Sequence, residues 1–164
     1  MSNNYFLICE VQMIDCLVMD VDGTLTDGAI YITESGEEMK AFNIKDGYGI
    51  HDILIPKGIQ PIIITGRTSK IVKIRCEELG ITDYHQGVKN KLDLLKTLTS
   101  DLSKVAYIGD DDNDLACMTE VKSAGGKVGC PADASTKVKS ISDFISKCEG
   151  GKGAVREFIE WLVI

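Results

Sequence analysis

Short apolar blocks alternate along this chain with stretches in which apolar residues return every third or fourth position. The blocks predict buried parallel strands and the periodic stretches predict amphipathic helices. Cys16-Leu17-Val18-Met19 is the first clear block and stops at Asp20. Residues 29–33 and 38–44 are β-rich runs separated by Glu34-Ser35-Gly36-Glu37, whose turn chemistry predicts a β-hairpin. Residues 46–57 carry Ile50, Ile53 and Leu54 at helical spacing and end at Gly58. Residues 59–65, with Ile62-Ile63-Ile64, predict a second buried strand. A helix over 69–79 turns Ile71, Ile74 and Leu79 inward and stops at Gly80. A short strand over 83–85 leads to a helix over 89–99 with Leu92, Leu95 and Leu98 inward, then to a third buried strand over 104–108. Residues 112–121 are helical, short strands cover 125–129 and 143–145 around a helix at 134–140, and 153–164 form a helix with Val155, Phe158, Ile159 and Leu162 on one face.

Strands alternating with helices predict an α/β fold, a Rossmann-like three-layer sandwich with a mainly parallel sheet and a hairpin flap. The length of 164 residues fits one domain over 1–164, with the flap at 29–44 and a tail and C-terminal helix at 149–164.

In such folds ligands bind beyond the carboxyl ends of the strands. Asp20 and Asp22 follow the first strand, Thr65, Gly66 and Arg67 the second, Asp110 and Asp111 the third. Gathered carboxylates repel one another unless a hard cation neutralises them, and Mg²⁺ prefers oxygen donors. Asp20, the Asp22 backbone carbonyl and Asp110 are the candidate ligands. Asp20 can attack phosphorus to give an aspartyl-phosphate, and Asp22 can protonate the leaving oxygen and later deprotonate water. Thr65 offers its hydroxyl and backbone N–H to phosphate oxygens, and Lys91 a positive charge at a helix start. Each piece alone has an ordinary structural explanation; the acids of 110–114, for example, suit a helix N-terminus. All of them in this order, after these strands, point to phosphoryl chemistry.

Charge narrows the ligand. A net charge of −7 sets the surface against nucleic acid and anionic membranes, so an anionic substrate needs a local positive site. The six cysteines form no C-x-x-C pair and stand at no zinc-finger spacing from His51 or His85, which reads as reduced, mostly buried thiols of a cytoplasmic protein. No stretch approaches the roughly 20 apolar residues that span a bilayer. Residues 1–12 read as either an extension of the first strand or a leader.

Asp20-Val21-Asp22-Gly23-Thr24, Thr65 in Ile64-Thr65-Gly66-Arg67, Lys91, and Gly109-Asp110-Asp111-Asp112-Asn113-Asp114 match in order the four motifs of the haloacid dehalogenase superfamily, which the chain resembles from Ile14 onward. The second acid at Asp22 is similar to the phosphatase branch. The gaps between motifs hold no folded cap domain, which resembles the capless members. Those are typically homotetramers in which one subunit's hairpin packs near its neighbour's site. Within that branch the chain resembles the 3-deoxy-D-manno-octulosonate 8-phosphate phosphatases. The marks are Thr26-Asp27-Gly28, Lys40-Ala41-Phe42-Asn43-Ile44-Lys45-Asp46-Gly47-Tyr48-Gly49-Ile50, Arg75-Cys76, Gln86-Gly87, Asn90-Lys91-Leu92 and Gly150-Gly151-Lys152-Gly153-Ala154-Val155-Arg156-Glu157.

The resemblance implies a Mg²⁺-dependent hydrolase of a sugar acid phosphate in lipopolysaccharide precursor synthesis, with Asp20, Asp22 and Asp110 at the metal and Asp111 and Asp114 behind them. It places the sugar-acid contacts at Asn43, Ile44, Lys45, Asp46, Gly47, Arg67 and Arg75, alongside Asp22 and Lys91, and has the glycine-rich segment 150–153 close over the site. Arg67 and Arg75 suit a planar carboxylate, although Arg75 also reads as a solvated helix charge. His51 stands where the family usually carries an arginine. A nine-carbon sugar acid 9-phosphate is the alternative substrate. A receiver-like phospho-acceptor domain and a non-catalytic module are the alternatives of another class.

Overall fold

A six-stranded, wholly parallel sheet in the order β5-β4-β1-β6-β7-β8 organises the computed structural model, which describes residues 13–164. In chain order its strands are β1 (Cys16–Met19), β4 (Gln60–Ile64), β5 (Asp83–His85), β6 (Val105–Ile108), β7 (Lys127–Cys130) and β8 (Phe144–Ile145). β2 (Tyr31–Thr33) and β3 (Gly36–Met39) form a separate antiparallel hairpin. The helices are α1 (Ile44–Tyr48), α2 (Lys70–Leu79), α3 (Lys91–Leu98), α4 (Leu115–Ala124), α5 (Thr136–Ile141) and α6 (Ala154–Leu162). The expected strand extension or leader at 1–12 lies outside the described residues.

The central strands are apolar throughout because the sheet is covered on both faces. Side chains alternate across a strand, and here both sets are buried. Leu17, Met19, Ile63, Ala106 and Ile108 pack with Ile50, Leu54, Val72, Cys76, Phe158 and Ile159 on one side. Val18, Ile62, Ile64, Val105 and Tyr107 pack with Leu95, Cys117, Met118, Val121 and Val138 on the other. Full burial of each large aliphatic side chain contributes roughly 1.5–3 kcal/mol. This double-sided core fixes the carboxyl ends of β1, β4 and β6 beside one another.

The predicted elements are present, with four shifts. The hairpin is shorter than the expected 29–44, because Asn43 adopts extended backbone and accepts the Lys45 N–H at 2.9 Å, starting α1 where a strand was expected. The expected helix 46–57 is a composite of α1, a π turn at Gly49–Leu54 and a 3₁₀ turn at Ile55–Lys57. Pro56 lacks the N–H needed to continue an α pattern there. α2 turns Val72, Cys76 and Leu79 to the sheet, an i, i+4, i+7 row, while Ile74, expected inward, is 64% exposed. α4 begins at Leu115 rather than at 112, because the Asp114 carboxylate folds back onto the preceding loop.

Cys16, Cys76, Cys117 and Cys130 are buried free thiols and Cys148 is partly buried, with no disulfide among the described residues; Cys9 lies outside them. Among the described residues no helix is long and apolar enough to cross a membrane.

Candidate active site

The parallel sheet brings Asp20, Lys91, Asp110 and Asp114 together. Asp20 leaves β1 with its N–H still donating to the Ile108 carbonyl at 3.1 Å, so the loop is tied to the end of β6. Its carboxylate is buried, and Lys91 Nζ lies 2.9 Å from Oδ1. The same ammonium stands 2.8 Å from Asp114 Oδ1, which also accepts the Tyr107 hydroxyl at 2.8 Å. Asp114 Oδ2 accepts the N–H groups of Asp110 and Asp111 at 3.2 and 3.4 Å. Asp114 therefore does two jobs: it fixes Lys91 and it folds the acidic loop. Gly109 makes the close fit possible, since a Cβ there would lie 2.5 Å from the Asp114 Cγ.

Asp110 Oδ1 accepts the Thr24 hydroxyl at 2.8 Å. Gly23 has φ +96°, and a Cβ on it would come within 2.1 Å of Asp110 Oδ2. The glycine of the Asp-x-Asp-Gly segment thus serves two needs at once, a left-handed turn and room for a carboxylate.

Oxygens of Asp20, Asp110 and Asp114 all lie within 4.8 Å of one another. Burial pushes the Asp20 carboxyl from 3.8 up to about 6, helped by Asp114 and opposed by Lys91. Burial likewise pushes Asp110 up to about 7, opposed by its Thr24 hydrogen bond and helped by Asp20 and Asp114. One buried ammonium is too little charge for this group. An oxygen-only donor set, two strained carboxylates and a space kept clear by Gly23 fit a hard divalent cation such as Mg²⁺.

A linkage follows. Both acids hold a proton more tightly in the folded chain than at the ordinary value of 3.8, so their contribution to stability is complete below pH 3.8 and is lost as pH rises through about 6 and 7. A cation takes the place of those protons. Mg²⁺ is expected to raise the melting temperature much more at pH 8 than at pH 5. Equal shifts at the two pH values, measured by calorimetry, would contradict this.

The Asp22 side chain is engaged by cations and is not among the clustered carboxylates. Its Oδ1 is paired with the Lys40 ammonium, and its Oδ2 lies 4.0 Å from Arg67 Nε. Any share of Asp22 in a cation site falls to its backbone carbonyl. Thr65 is buried, and its N–H donates to the His85 carbonyl at 3.0 Å within the sheet. That N–H is spent within the sheet, which corrects its expected use on phosphate. Asp111, expected behind the metal, is exposed and gives its N–H to Asp114.

The expected sugar-acid contacts divide. Ile44 and Lys45 are exposed, and Arg67 is half-exposed beside Asp22. Asn43 gives its side-chain amide to the Gly151 carbonyl at 3.2 Å. Asp46 is buried and caps α6, accepting the Arg156 N–H at 2.8 Å and drawing on those of Gly153 and Val155. Gly47 packs against the Arg75 guanidinium, which reaches the Asn43 carbonyl at 3.4 Å, pairs with Glu78 at 2.8 Å and lies over the Phe42 ring. Arg75 is mostly buried and is not a solvated helix charge; with Asp46 it shapes the 43–47 segment from behind. The glycine-rich segment 150–153 is fastened to the loop after β1 by the Gly151 N–H on the Thr24 carbonyl at 3.1 Å, and to the loop after β7 by that of Gly150 on Asp133 Oδ1 at 2.9 Å. His51 is exposed on an open groove of about 320 Å³ that Ile44, Tyr48 and Glu78 also line.

Two residues of the site escaped the sequence reading. Tyr107 looks like one more apolar position of β6, and Lys40 like one more residue of the hairpin. The one clue to Lys40 is its place at the head of the family-marking segment that begins Lys40-Ala41-Phe42-Asn43.

No family model matches the chain. It is 43% identical over 162 residues to the 3-deoxy-D-manno-octulosonate 8-phosphate phosphatase KdsC of Escherichia coli K12, an alignment covering 96% of this chain and 84% of that protein. The Salmonella typhi enzyme of the same name is 42% identical over the same spans. Among solved structures, 3-deoxy-D-manno-octulosonate 8-phosphate phosphatase of Moraxella catarrhalis, in complex with magnesium, phosphate and KDO, superposes with a TM-score of 0.85 at 40% identity, covering 93% of this chain and 87% of that one. The cobalt-bound form of the deoxy-D-mannose-octulosonate 8-phosphate phosphatase of Haemophilus influenzae superposes with a TM-score of 0.83 at 36% identity, over 93% and 88%.

Proposed function

The chain belongs to the 3-deoxy-D-manno-octulosonate 8-phosphate phosphatase family of the haloacid dehalogenase superfamily, and from that membership we propose that it hydrolyses 3-deoxy-D-manno-octulosonate 8-phosphate to the free sugar acid and phosphate. The observation that carries the chemistry is the buried Asp20 carboxylate, aligned by Lys91 and set beside Asp110 at the ends of β1 and β6. Family membership sets aside the receiver and non-catalytic alternatives.

In the first half of the reaction an Asp20 oxygen attacks phosphorus and the phosphorus–sugar oxygen bond breaks. Asp22 gives its proton to the departing oxygen. In the second half, water attacks the aspartyl-phosphate and passes a proton to Asp22, and the bond from phosphorus to Asp20 breaks. Lys91, held by Asp114, keeps Asp20 oriented and adds positive charge for the phosphoryl oxygens. The Thr65 hydroxyl is a further donor to them. Mg²⁺, which Asp20, Asp110 and the Asp22 carbonyl would hold, neutralises phosphate charge when bound.

The substrate also carries a carboxylate, and Arg67 is the half-exposed guanidinium nearest Asp22. Arg67→Ala is expected to raise KM for the sugar acid phosphate by roughly 10-fold or more, while KM for a small aryl phosphate stays within about 3-fold of wild type. Equal rises for both would remove Arg67 from carboxylate recognition.

The assembly is a cytoplasmic homotetramer that serves lipopolysaccharide precursor synthesis. Its support is the hairpin, where Tyr31, Ile32 and Met39 are each more than half exposed, which suits packing against a neighbouring subunit.

A further inference from the structure

Tyr107 is the only residue of β6 whose side chain carries a polar group; Val105, Ala106 and Ile108 are apolar, and the whole strand is buried. A phenylalanine would fill the same layer against Leu95, Met118 and Val121. Burying a hydroxyl costs free energy unless it is hydrogen-bonded. Here it donates to Asp114 Oδ1 at 2.8 Å, and its oxygen also meets the Cys117 thiol. The reaction steps above make no use of Tyr107.

The hydrogen bonds of Asp114 show what the hydroxyl does. Oδ1 accepts from Tyr107 and from the Lys91 ammonium, each at 2.8 Å. Oδ2 accepts the N–H groups of Asp110 and Asp111. A carboxylate has about four lone-pair sites, and these donors fill them. The ammonium of Lys91 has three N–H groups. One goes to Asp114 Oδ1 and one to Asp20 Oδ1, 2.9 Å away. Because the ammonium is tetrahedral, fixing two N–H groups fixes the third, which is the donor for a phosphoryl oxygen. Without the Tyr107 hydroxyl, a lone pair opens on the oxygen that Lys91 already touches. The ammonium is then free to turn toward Asp114 and away from phosphate.

We propose that the Tyr107 hydroxyl is a positioning group for phosphoryl transfer: by filling Asp114 Oδ1 it limits Lys91 to one hydrogen bond there and keeps the third ammonium N–H on the phosphoryl group. The inference rests on the reading of Asp20 as nucleophile and Lys91 as phosphate donor. Tyr107 keeps its proton throughout, and no bond to it forms or breaks. Its effect falls on the phosphoryl group, which all substrates share, and not on the sugar.

Tyr107→Phe keeps the ring and removes one hydroxyl. Work at about 10 °C, near the usual maximum of stability, keeps the variant folded, and a thermal melt verifies this. With Mg²⁺, kcat is expected to fall about 10-fold for both 3-deoxy-D-manno-octulosonate 8-phosphate and p-nitrophenyl phosphate, the worth of one hydrogen bond to a charged group, while both KM values stay within about 3-fold. Orthovanadate, which mimics the phosphoryl group in transfer, is expected to bind about 10-fold more weakly by calorimetry. Mg²⁺ alone is expected to bind within about 3-fold of wild type, because the lost bond is to Lys91's partner and not to the cation. In the Lys91→Met background the same change is expected to alter orthovanadate binding by less than about 2-fold. A purely structural hydroxyl would lower the melting temperature and leave kcat and orthovanadate affinity unchanged, and that result overturns the proposal. So does a loss confined to KM for the sugar acid phosphate, a matching loss of Mg²⁺ affinity, or an equal loss with Lys91 already removed. Failure of the underlying reading looks different: wild type with Mg²⁺ then neither binds orthovanadate nor releases phosphate.

Discussion

Asp20→Asn is expected to give a folded protein whose kcat is lower by roughly 10⁴-fold or more. The amide keeps the size and shape of the carboxylate and cannot attack phosphorus. Survival of the fold follows from the electrostatics. Asp20 is 4% exposed, and its carboxyl is pushed up to about 6 chiefly by burial and then by Asp114, so removing the charge relieves a cost. Lys91 keeps a partner in Asp114, 2.8 Å away. The melting temperature without Mg²⁺ is expected to equal or exceed that of wild type at pH 8. Phosphate release and a thermal melt on the same preparation check both halves. Wild-type turnover would remove Asp20 as the nucleophile.

Lys91→Met has the second large effect, and it falls on stability as well as on rate. Lys91 is 4% exposed between Asp20 and Asp114, which are 4% and 0% exposed. Burial disfavours its charge, but Asp114 and Asp20 outweigh that and the group is held above its ordinary value of 10.5. Methionine fills the space and leaves two buried carboxylates without their counter-charge. Breaking a buried pair in this way costs about 3–5 kcal/mol. For a chain of this size each kcal/mol lowers the melting temperature by roughly 2–4 °C. Added Mg²⁺ is expected to recover part of the lost stability, since a cation near Asp20 and Asp110 supplies the missing charge. Turnover is expected to stay low even so, because Asp20 loses the group that orients it. Urea unfolding with and without Mg²⁺ checks the first point. An unchanged midpoint without Mg²⁺ would mean that Lys91 is only a helix-start lysine.

The central strands were legible because a strand buried on both faces cannot hide its pattern: Leu17-Val18-Met19 and Ile62-Ile63-Ile64 are apolar without a break. Acids at the ends of such strands were enough to bring Asp20 and Asp110 together. The phase of α2 was not legible, because Ile71 and Ile74 suggest one inward face while capping by Ser69 and the row Val72, Cys76, Leu79 set another. Backbone donors were also out of reach. The Thr65 N–H is spent on His85 because β5 extends the sheet beside it. The roles of Asp46 and Lys40 depend on tertiary closure. Asp46 caps α6, whose first turn comes more than a hundred residues later, and Lys40 reaches Asp22 only because the hairpin folds back. A buried aspartate within a motif looks like a substrate contact until the helix it caps is in view.

The most direct measurement is phosphate release by the purified protein with Mg²⁺, compared as kcat/KM across a panel of sugar phosphates. 3-Deoxy-D-manno-octulosonate 8-phosphate is expected to lead, by about 10-fold or more over nine-carbon sugar acid 9-phosphates and over neutral sugar phosphates. A nine-carbon substrate at the head of the panel, or no release from any member, would contradict the account.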